Sequence, residues 1–246
     1  MSSIQATVSK ILTYSIVDGP GNRLVIFLQG CNFNCACCHN PSTIGQYDPM
    51  ARQYSVAEVL KLLREHLPFL TGITVSGGEP TKQLKFVIAL FKAIKSDDEL
   101  AKLSCFIDSN GYLGETGWES VLPVTDGVML DIKSFDNPTH RELTTKDNLK
   151  SLQSARFLNA AGKLHELRFL LVPGKTDNDA ELDGLIEFVR TLGDDTRVKL
   201  NAFQHHGVKG KALDWEKMSK VGVDRAAERL RAAGINNVIT PAVYLK

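Results

Sequence analysis

The amino-acid sequence predicts an α/β protein built on parallel strands, and three observations carry that expectation. Short runs of β-branched and aromatic residues alternate along the chain with longer segments of helical periodicity. Several of these runs are apolar almost without interruption, as strands covered on both faces are. Helix-start signals stand in the gaps between them. Such alternation joins parallel strands by right-handed crossovers, either as a barrel or as an open doubly wound sheet. At 246 residues, against roughly 150 for a typical domain, a single domain over 1–246 is expected.

The first strand is expected at Arg23–Gln29, where Leu-Val-Ile-Phe-Leu is unbroken. Ser55 and Glu58 then have capping-box spacing: the serine side chain can accept from the third helical amide while the glutamate reaches back to the serine amide. The helix they open carries Val59, Leu60, Leu62 and Leu63. Ile73–Ser76 is the second strand and is followed by a helix over Leu84–Lys95. Leu103–Asp108 and Gly127–Asp131 are the third and fourth strands, with a helix over Asn148–Ala161 after them. Leu167–Val172 is the fifth strand, and Asn178 with Glu181 repeats the cap spacing ahead of Leu185-Ile-Glu-Phe-Val189. Val198–Phe203, a helix over Val223–Ala233 and a last strand at Val238–Leu245 complete the pattern. Ser96–Glu99 reads as a helix end that caps the next turn. The charged stretch 224–233 reads as a solvated helix face.

Composition narrows the function classes. With 43% apolar, 23% charged and 7% aromatic residues, 19 Gly and 9 Pro, the chain is neither disordered nor fibrous. Lys and Arg number 29 against 28 Asp and Glu, a net charge of +1, so no global field draws nucleic acid or an anionic membrane. Met1–Lys10 has no apolar core of a secretion signal, and no run approaches the roughly 18 apolar residues of a membrane span. A reduced, cytoplasmic protein is expected.

The five cysteines break this ordinary picture, because Cys31, Cys35, Cys37 and Cys38 crowd together and only Cys105 stands apart. Near-adjacent cysteines in an odd total make a poor disulfide framework. They follow directly on a strand, in the kind of loop where α/β sheets and barrels place active sites. The spacing Cys31-x3-Cys35-x2-Cys38 lets three thiolates converge, and a sulfur set suits iron–sulfur or zinc. A zinc knot would close with Cys37 or His39, yet structural zinc usually draws on a second Cys/His pair, and none is evident. Three thiolates on a cubane would leave one iron open to a ligand from outside the protein.

Other segments follow strands in the same way. Ser76-Gly77-Gly78-Glu79-Pro80 has glycines that let the backbone approach a ligand, and a carboxylate that can accept from an ammonium. Asp108-Ser109-Asn110-Gly111 and Asp131-Ile132-Lys133 end the third and fourth strands, and their polar groups can either converge on one barrel mouth or cap the helices that follow. Arg168 lies inside an apolar strand, where its charge needs a carboxylate from a ligand or from an ion pair. Val17-Asp18-Gly19-Pro20-Gly21-Asn22-Arg23 reads physically as a turn before a strand.

Together these residues resemble the glycyl-radical-enzyme activating family of the radical S-adenosylmethionine (radical SAM) superfamily. The likeness runs from about Ser9 to Phe203 and rests on the cysteine motif, Gly77-Gly78-Glu79, Asp108 to Gly111, Asp131-x-Lys133 and Val17 to Gly21. It implies a partial (β/α)6 barrel and one [4Fe-4S] cluster on Cys31, Cys35 and Cys38, with the amino and carboxylate groups of SAM on the fourth iron. It implies SAM contacts from Cys37, Cys38, His39, Gly77, Gly78, Glu79, Ser109, Asp131, Ile132, Lys133 and Arg168. Cys37 stands where the family usually has an aromatic residue beside adenine, and reads as a small apolar substitute. Asp108, Asp131 and the main chain of Met129 would hold a monovalent cation, and Asp18 and Arg23 would contact the partner.

Two departures qualify the match. Phe203-Gln204 replaces a Tyr-His pair whose histidine contacts SAM, leaving Gln204 and His206 as the candidates, with His205 beside them. Ser42–Tyr54 contains no cysteine, so one cluster and no ferredoxin-like insert are expected. The resemblance implies a monomer that takes an electron from flavodoxin or ferredoxin and forms a radical on a glycine of a glycyl radical enzyme. Two other readings are a radical SAM enzyme acting on a small molecule or nucleic-acid base, of the deazaguanine-forming kind, and a zinc-stabilised binding protein without catalysis.

Overall fold

The computed structural model describes residues 4–241, which form two compact units, one of residues 4–32 and 42–129 and the other of residues 33–41 and 130–241. In the first unit β1 (Gln5–Ser15), β2 (Arg23–Leu28), β3 (Arg52–Ser55), β4 (Gly72–Gly77) and β5 (Ser104–Ser109) lie in the order β3-β1-β2-β4-β5. The expected parallel strands are there: Leu24 lies opposite Ile73, and Ile73 opposite Cys105. The long strand β1, which the sequence reading passes over, is antiparallel to both β2 and β3. Ala6 and Val8 do alternate with more exposed neighbours, but the alternation fades after Ser9. Register shifts between Val8 and Lys10 and between Leu12 and Ser15 break the period.

The capping box of α1 (Val56–His66) closes in both directions: the Glu58 N–H donates to Ser55 Oγ at 3.3 Å, and the Ser55 N–H donates to Glu58 Oε2 at 2.7 Å. In α2 (Leu84–Lys95), Phe86, Val87, Leu90, Phe91 and Ile94 form the buried stripe that holds it to the core. The short helix α3 (Glu115–Val121) was not expected. It has no side-chain cap, and its buried Trp118 fixes it instead.

The chain enters the second unit within β6 (Gly127–Ile132). There α4 (Asn137–Thr144), α5 (Leu149–Ala160), β7 (Leu164–Leu171), α6 (Asp179–Leu192), β8 (Val198–Ala202), α7 (Lys220–Ala232) and β9 (Val238–Ile239) follow, with strand order β6-β7-β8-β9. β7, β8 and β9 are parallel. The last strand is two residues long where Val238–Leu245 was expected, and 242–245 lie outside the described residues. Helix α4, also unexpected, has a readable start: Asp136 accepts from the Thr139 N–H at 2.9 Å, and Pro138 stands in the first turn.

The second capping box closes only halfway. The Glu181 N–H donates to Asn178 Oδ1 at 3.0 Å, but the Glu181 carboxylate turns inward. It accepts from the Phe135 N–H at 2.7 Å, the Asp136 N–H at 3.1 Å and the Ser134 hydroxyl. Three donors of a buried loop outweigh one amide at a helix end. Glu181 thereby fixes the loop that follows Lys133. Among the described residues no helix is long and apolar enough to cross a membrane.

Candidate active site

In the first unit Cys31 follows β2 directly, and the returning chain clamps the start of its loop. The Gly30 N–H donates to the Thr43 carbonyl at 2.8 Å and the Cys31 N–H to the Ile44 carbonyl at 3.0 Å. Gln29 Nε2 donates to the carbonyls of Ser42 and Gly45. The paired glycines after β4 serve this clamp. A Cβ on Gly77 would stand 2.2 Å from the Leu28 nitrogen, and one on Gly78 would stand 2.4 Å from the Gly30 carbonyl oxygen. The close approach they permit is therefore to the backbone of β2 and its loop, where the sequence suggested a ligand.

Glu79 is wholly enclosed. One oxygen accepts from the Thr81 N–H at 3.0 Å, Thr81 Oγ1 at 2.6 Å and Ser109 Oγ at 2.9 Å, and the other accepts from the Asn110 N–H at 2.8 Å. Burial pushes its pKa up, against the pull of those donors. Glu79 thus ties the loop after β4 to the loop after β5, and Ser109 is spent on the same knot.

Asp108 points the other way and accepts from Ser76 Oγ at 2.9 Å. By strand alternation Arg23, Val25 and Phe27 of β2 share that face with Thr74 and Ser76 of β4 and with Phe106 and Asp108 of β5. Contacts along it agree, since Arg23 Nε donates to Thr74 Oγ1 at 2.7 Å and the Arg23 guanidinium stacks over Phe106 at 4.4 Å. Asp18 stands at the amino-terminal foot of this face, its carbonyl accepting from Thr74 Oγ1 at 2.6 Å and its carboxylate from Ser15 Oγ at 2.5 Å. The six residues of β2, roughly 20 Å of strand, separate this foot from Cys31. Arg23 is fully buried beneath the Asp18 turn, so its expected contact with a partner gives way to a structural role.

In the second unit the segment of Cys35, Cys37 and Cys38 sits on the carboxyl end of α4. The Asn34 N–H donates to the Thr144 carbonyl and the Ala36 N–H to the Leu143 carbonyl, each at 3.0 Å. These are carbonyls that a helix end leaves without internal partners. The Cys38 N–H then turns back to the Cys35 carbonyl at 3.2 Å. Burial pushes the thiols of Cys37 and Cys38 up, with Lys133 opposing it in both. Burial likewise lowers the His39 pKa, and the Lys133 charge lowers it further.

A residue the sequence reading missed seats this segment: a Cβ on Gly207 would stand 2.0 Å from the His39 carbonyl oxygen, and its φ is +75°. A glycine in a histidine-rich loop carries no signal until its neighbour is known. That contact brings His206 near enough to His39 for its charge to be felt. Gln204 Nε2 donates to the Met218 carbonyl at 2.9 Å, and the His205 ring lies 2.7 Å from the Trp215 carbonyl. Both side chains therefore hold the loop itself.

Lys133 Nζ donates to Asp131 Oδ2 at 2.6 Å. Burial alone would strip the lysine of its charge, but Asp131, Cys35 and Cys37 hold the ammonium above the ordinary lysine range. Asp131 is kept below the carboxylate range by Lys133, Arg168 and Lys199, which outweigh its burial. Arg168 Nε donates to Glu166 Oε1 at 2.8 Å, and Glu166 also accepts from Arg197 Nε at 2.9 Å. The buried charge in β7 thus has its ion pair within the chain. Among the described residues, no group of three or more His, Cys, Asp or Glu side chains stands ready to hold a metal ion.

Glu166 gives a prediction. Burial raises its pKa, but the charge of Arg168, hydrogen bonds from Arg197 and Arg168, and the charge of Lys199 outweigh it and hold it low. A carboxyl whose folded pKa lies below its unfolded value, about 4.3 for Glu, stabilises the fold above that value and ceases to as pH falls through the folded pKa. Glu166→Gln should therefore be markedly less stable than wild type near pH 7 and approach it in acid. A stability difference, measured by urea unfolding, that stays constant from about pH 6 to about pH 3 would refute this.

The Radical SAM superfamily model matches residues 25–189. Pyruvate formate-lyase-activating enzyme from Streptococcus mutans is 36% identical over 83% of this chain and 80% of its own. A putative glycyl-radical enzyme activating enzyme from Haemophilus influenzae is 30% identical over 98% of both chains. This chain belongs to the glycyl-radical-enzyme activating family of radical SAM enzymes. The α/β fold class of the radical SAM type holds as well. A solved radical SAM methyltransferase from Sphaerobacter thermophilus, 17% identical, covers 89% of this chain and 66% of its own with a TM-score of 0.64. Radical SAM membership implies a [4Fe-4S] cluster and SAM.

Proposed function

We propose that this chain activates a partner glycyl radical enzyme, with Cys31, Cys35 and Cys38 as the ligands of one [4Fe-4S] cluster and SAM on its remaining iron. The observation that carries the reading is the cysteine loop. None of the three cysteines is tied up in a disulfide, all lie within one turn-rich segment directly after β2, and main-chain bonds anchor Cys31 at one end and Asn34 and Ala36 further on. The donor set fits the group, since soft sulfurs suit iron–sulfur and the retained charge of Lys133 near Cys35 offsets that of a ligating thiolate. When bound, the cluster supplies the electron that splits SAM into methionine and a 5′-deoxyadenosyl radical, which takes a Cα hydrogen from a glycine of the partner.

The protein's own part is to bind, orient and exclude water. In this reading Cys37 and His39 line the SAM site, and the Lys133 ammonium is held toward it by Asp131. Gly77, Gly78 and Glu79 shape the loop that carries Cys31, and His206 takes the place of the missing histidine. A monovalent cation on Asp108, Asp131 and the Met129 carbonyl, and flavodoxin or ferredoxin as electron donor, belong to the same reading. So do a single domain, a monomeric state and a cytoplasmic location. Asp18, half-buried beside Ile16 and Val17, which are 79% and 65% exposed, is the partner-facing residue of its segment.

Mixing the reduced, reconstituted protein with SAM and glycyl radical enzymes of the same organism tests the proposal by electron paramagnetic resonance. A glycyl doublet is the expected result. No doublet with any of them, together with release of 5′-deoxyadenosine on a small-molecule substrate, would transfer the chain to the small-molecule reading.

A further inference from the structure

Asn110 is the residue after β5, and its side-chain amide is fixed from three sides. Its own N–H donates to Glu79 Oε2 at 2.8 Å, which sets the backbone. The Tyr112 N–H donates to Asn110 Oδ1 at 3.0 Å, so the oxygen end of the amide is assigned and the NH2 end must face the other way. That end lies 2.8 Å from Asn32 Oδ1 and 3.8 Å from Cys31 Sγ. The amide has two hydrogens, one for each acceptor, and at 8% exposure the residue is shielded from water.

We infer that Asn110 is a positioning residue for Cys31, donating an N–H···S hydrogen bond to the sulfur that carries the cluster. The inference rests on the reading of Cys31 as a cluster ligand. A donor aimed at a ligating thiolate draws electron density from the sulfur and stabilises the reduced, more negative cluster, which raises its reduction potential. The bond also holds the Cys31 side chain toward β5 before any iron is bound. Neither role can be read from the sequence, because 79 residues separate the two partners.

Two variants test this. Asn110→Leu has similar volume and no donor, while Asn110→Asp keeps an acceptor for the Tyr112 N–H and removes the donor. Both should keep the cluster, shift its midpoint potential to more negative values in an anaerobic redox titration, and lose one exchangeable-proton coupling from the reduced cluster in electron-nuclear double resonance. Wild-type potential and coupling in both cluster-bearing variants would overturn the inference and leave the proposed function standing. If wild type itself takes up no [4Fe-4S] cluster, the proposed function fails first. A measurement on wild type alone covers the case in which neither variant folds: protein grown on 15N-labelled asparagine should show a 15N coupling to the reduced cluster, and its absence would end the proposal.

Discussion

Alanine at Cys31, Cys35 or Cys38 is expected to give a protein that takes up no stable [4Fe-4S] cluster on anaerobic reconstitution, while Cys37→Ala takes it up as wild type does. The four thiols are adjacent in sequence but differ in setting. Cys37 is buried, and burial pushes its thiol up against the pull of Lys133. Cys31, Cys35 and Cys38 are part-exposed and sit at the spacing that three ligands of one centre need. Burial raises the Cys38 thiol as well, so protonation alone does not separate it from Cys37. Spacing does. Iron and sulfide analysis with the visible absorption spectrum decides the matter, and loss of iron from Cys37→Ala would show the ligand set to be different. Each ligand variant should also fail to cleave SAM, whereas Cys37→Ala should retain cleavage with weaker SAM binding.

Arg23→Leu should cost about 3–5 kcal/mol of stability, the range for breaking a buried charged network. All five guanidinium hydrogens have acceptors: Nε on Thr74 Oγ1, Nη1 on the Pro20 carbonyl and Ser104 Oγ, and Nη2 on the carbonyls of Ile73 and Ser104. No carboxylate is among them, and burial lowers its pKa to about 10. A leucine would remove a donor from the carbonyls of Pro20, Ile73 and Ser104 and from the hydroxyls of Thr74 and Ser104, and a buried acceptor that loses its donor costs roughly 1–3 kcal/mol before relaxation. Arg23→Lys should recover only part of the loss, because three rotating donors cannot reproduce a planar fork. Urea unfolding of the iron-free protein measures both, and a change below about 1 kcal/mol in Arg23→Leu would mean that water replaces these bonds. Because the turn at Asp18 rests on Arg23, glycyl radical formation should also fall.

Much of this protein was legible in its residues. The parallel strands and the closed capping box of α1 follow from local pattern and spacing, because apolar periodicity and caps are properties of neighbours in sequence, and the family follows from the resemblance of short contiguous motifs. The strand β1 escaped because two register shifts break its alternation, and α4 because its start signal stood beside a site motif and was read as part of the loop.

The roles that changed are those fixed by partners far along the chain. Glu79 and the two glycines before it, expected at a ligand site, knit β2, β4 and β5 together. Arg23 was assigned to a partner and closes the foot of the sheet. Gly207 against His39 and Asn110 against Cys31 were invisible. The sequence by itself determined which chemical groups this protein owns and in what order they leave the strands. Only the tertiary structure decided which of them face a ligand and which are consumed within the protein, because a buried donor or carboxylate takes its role from whatever completes its hydrogen bonds.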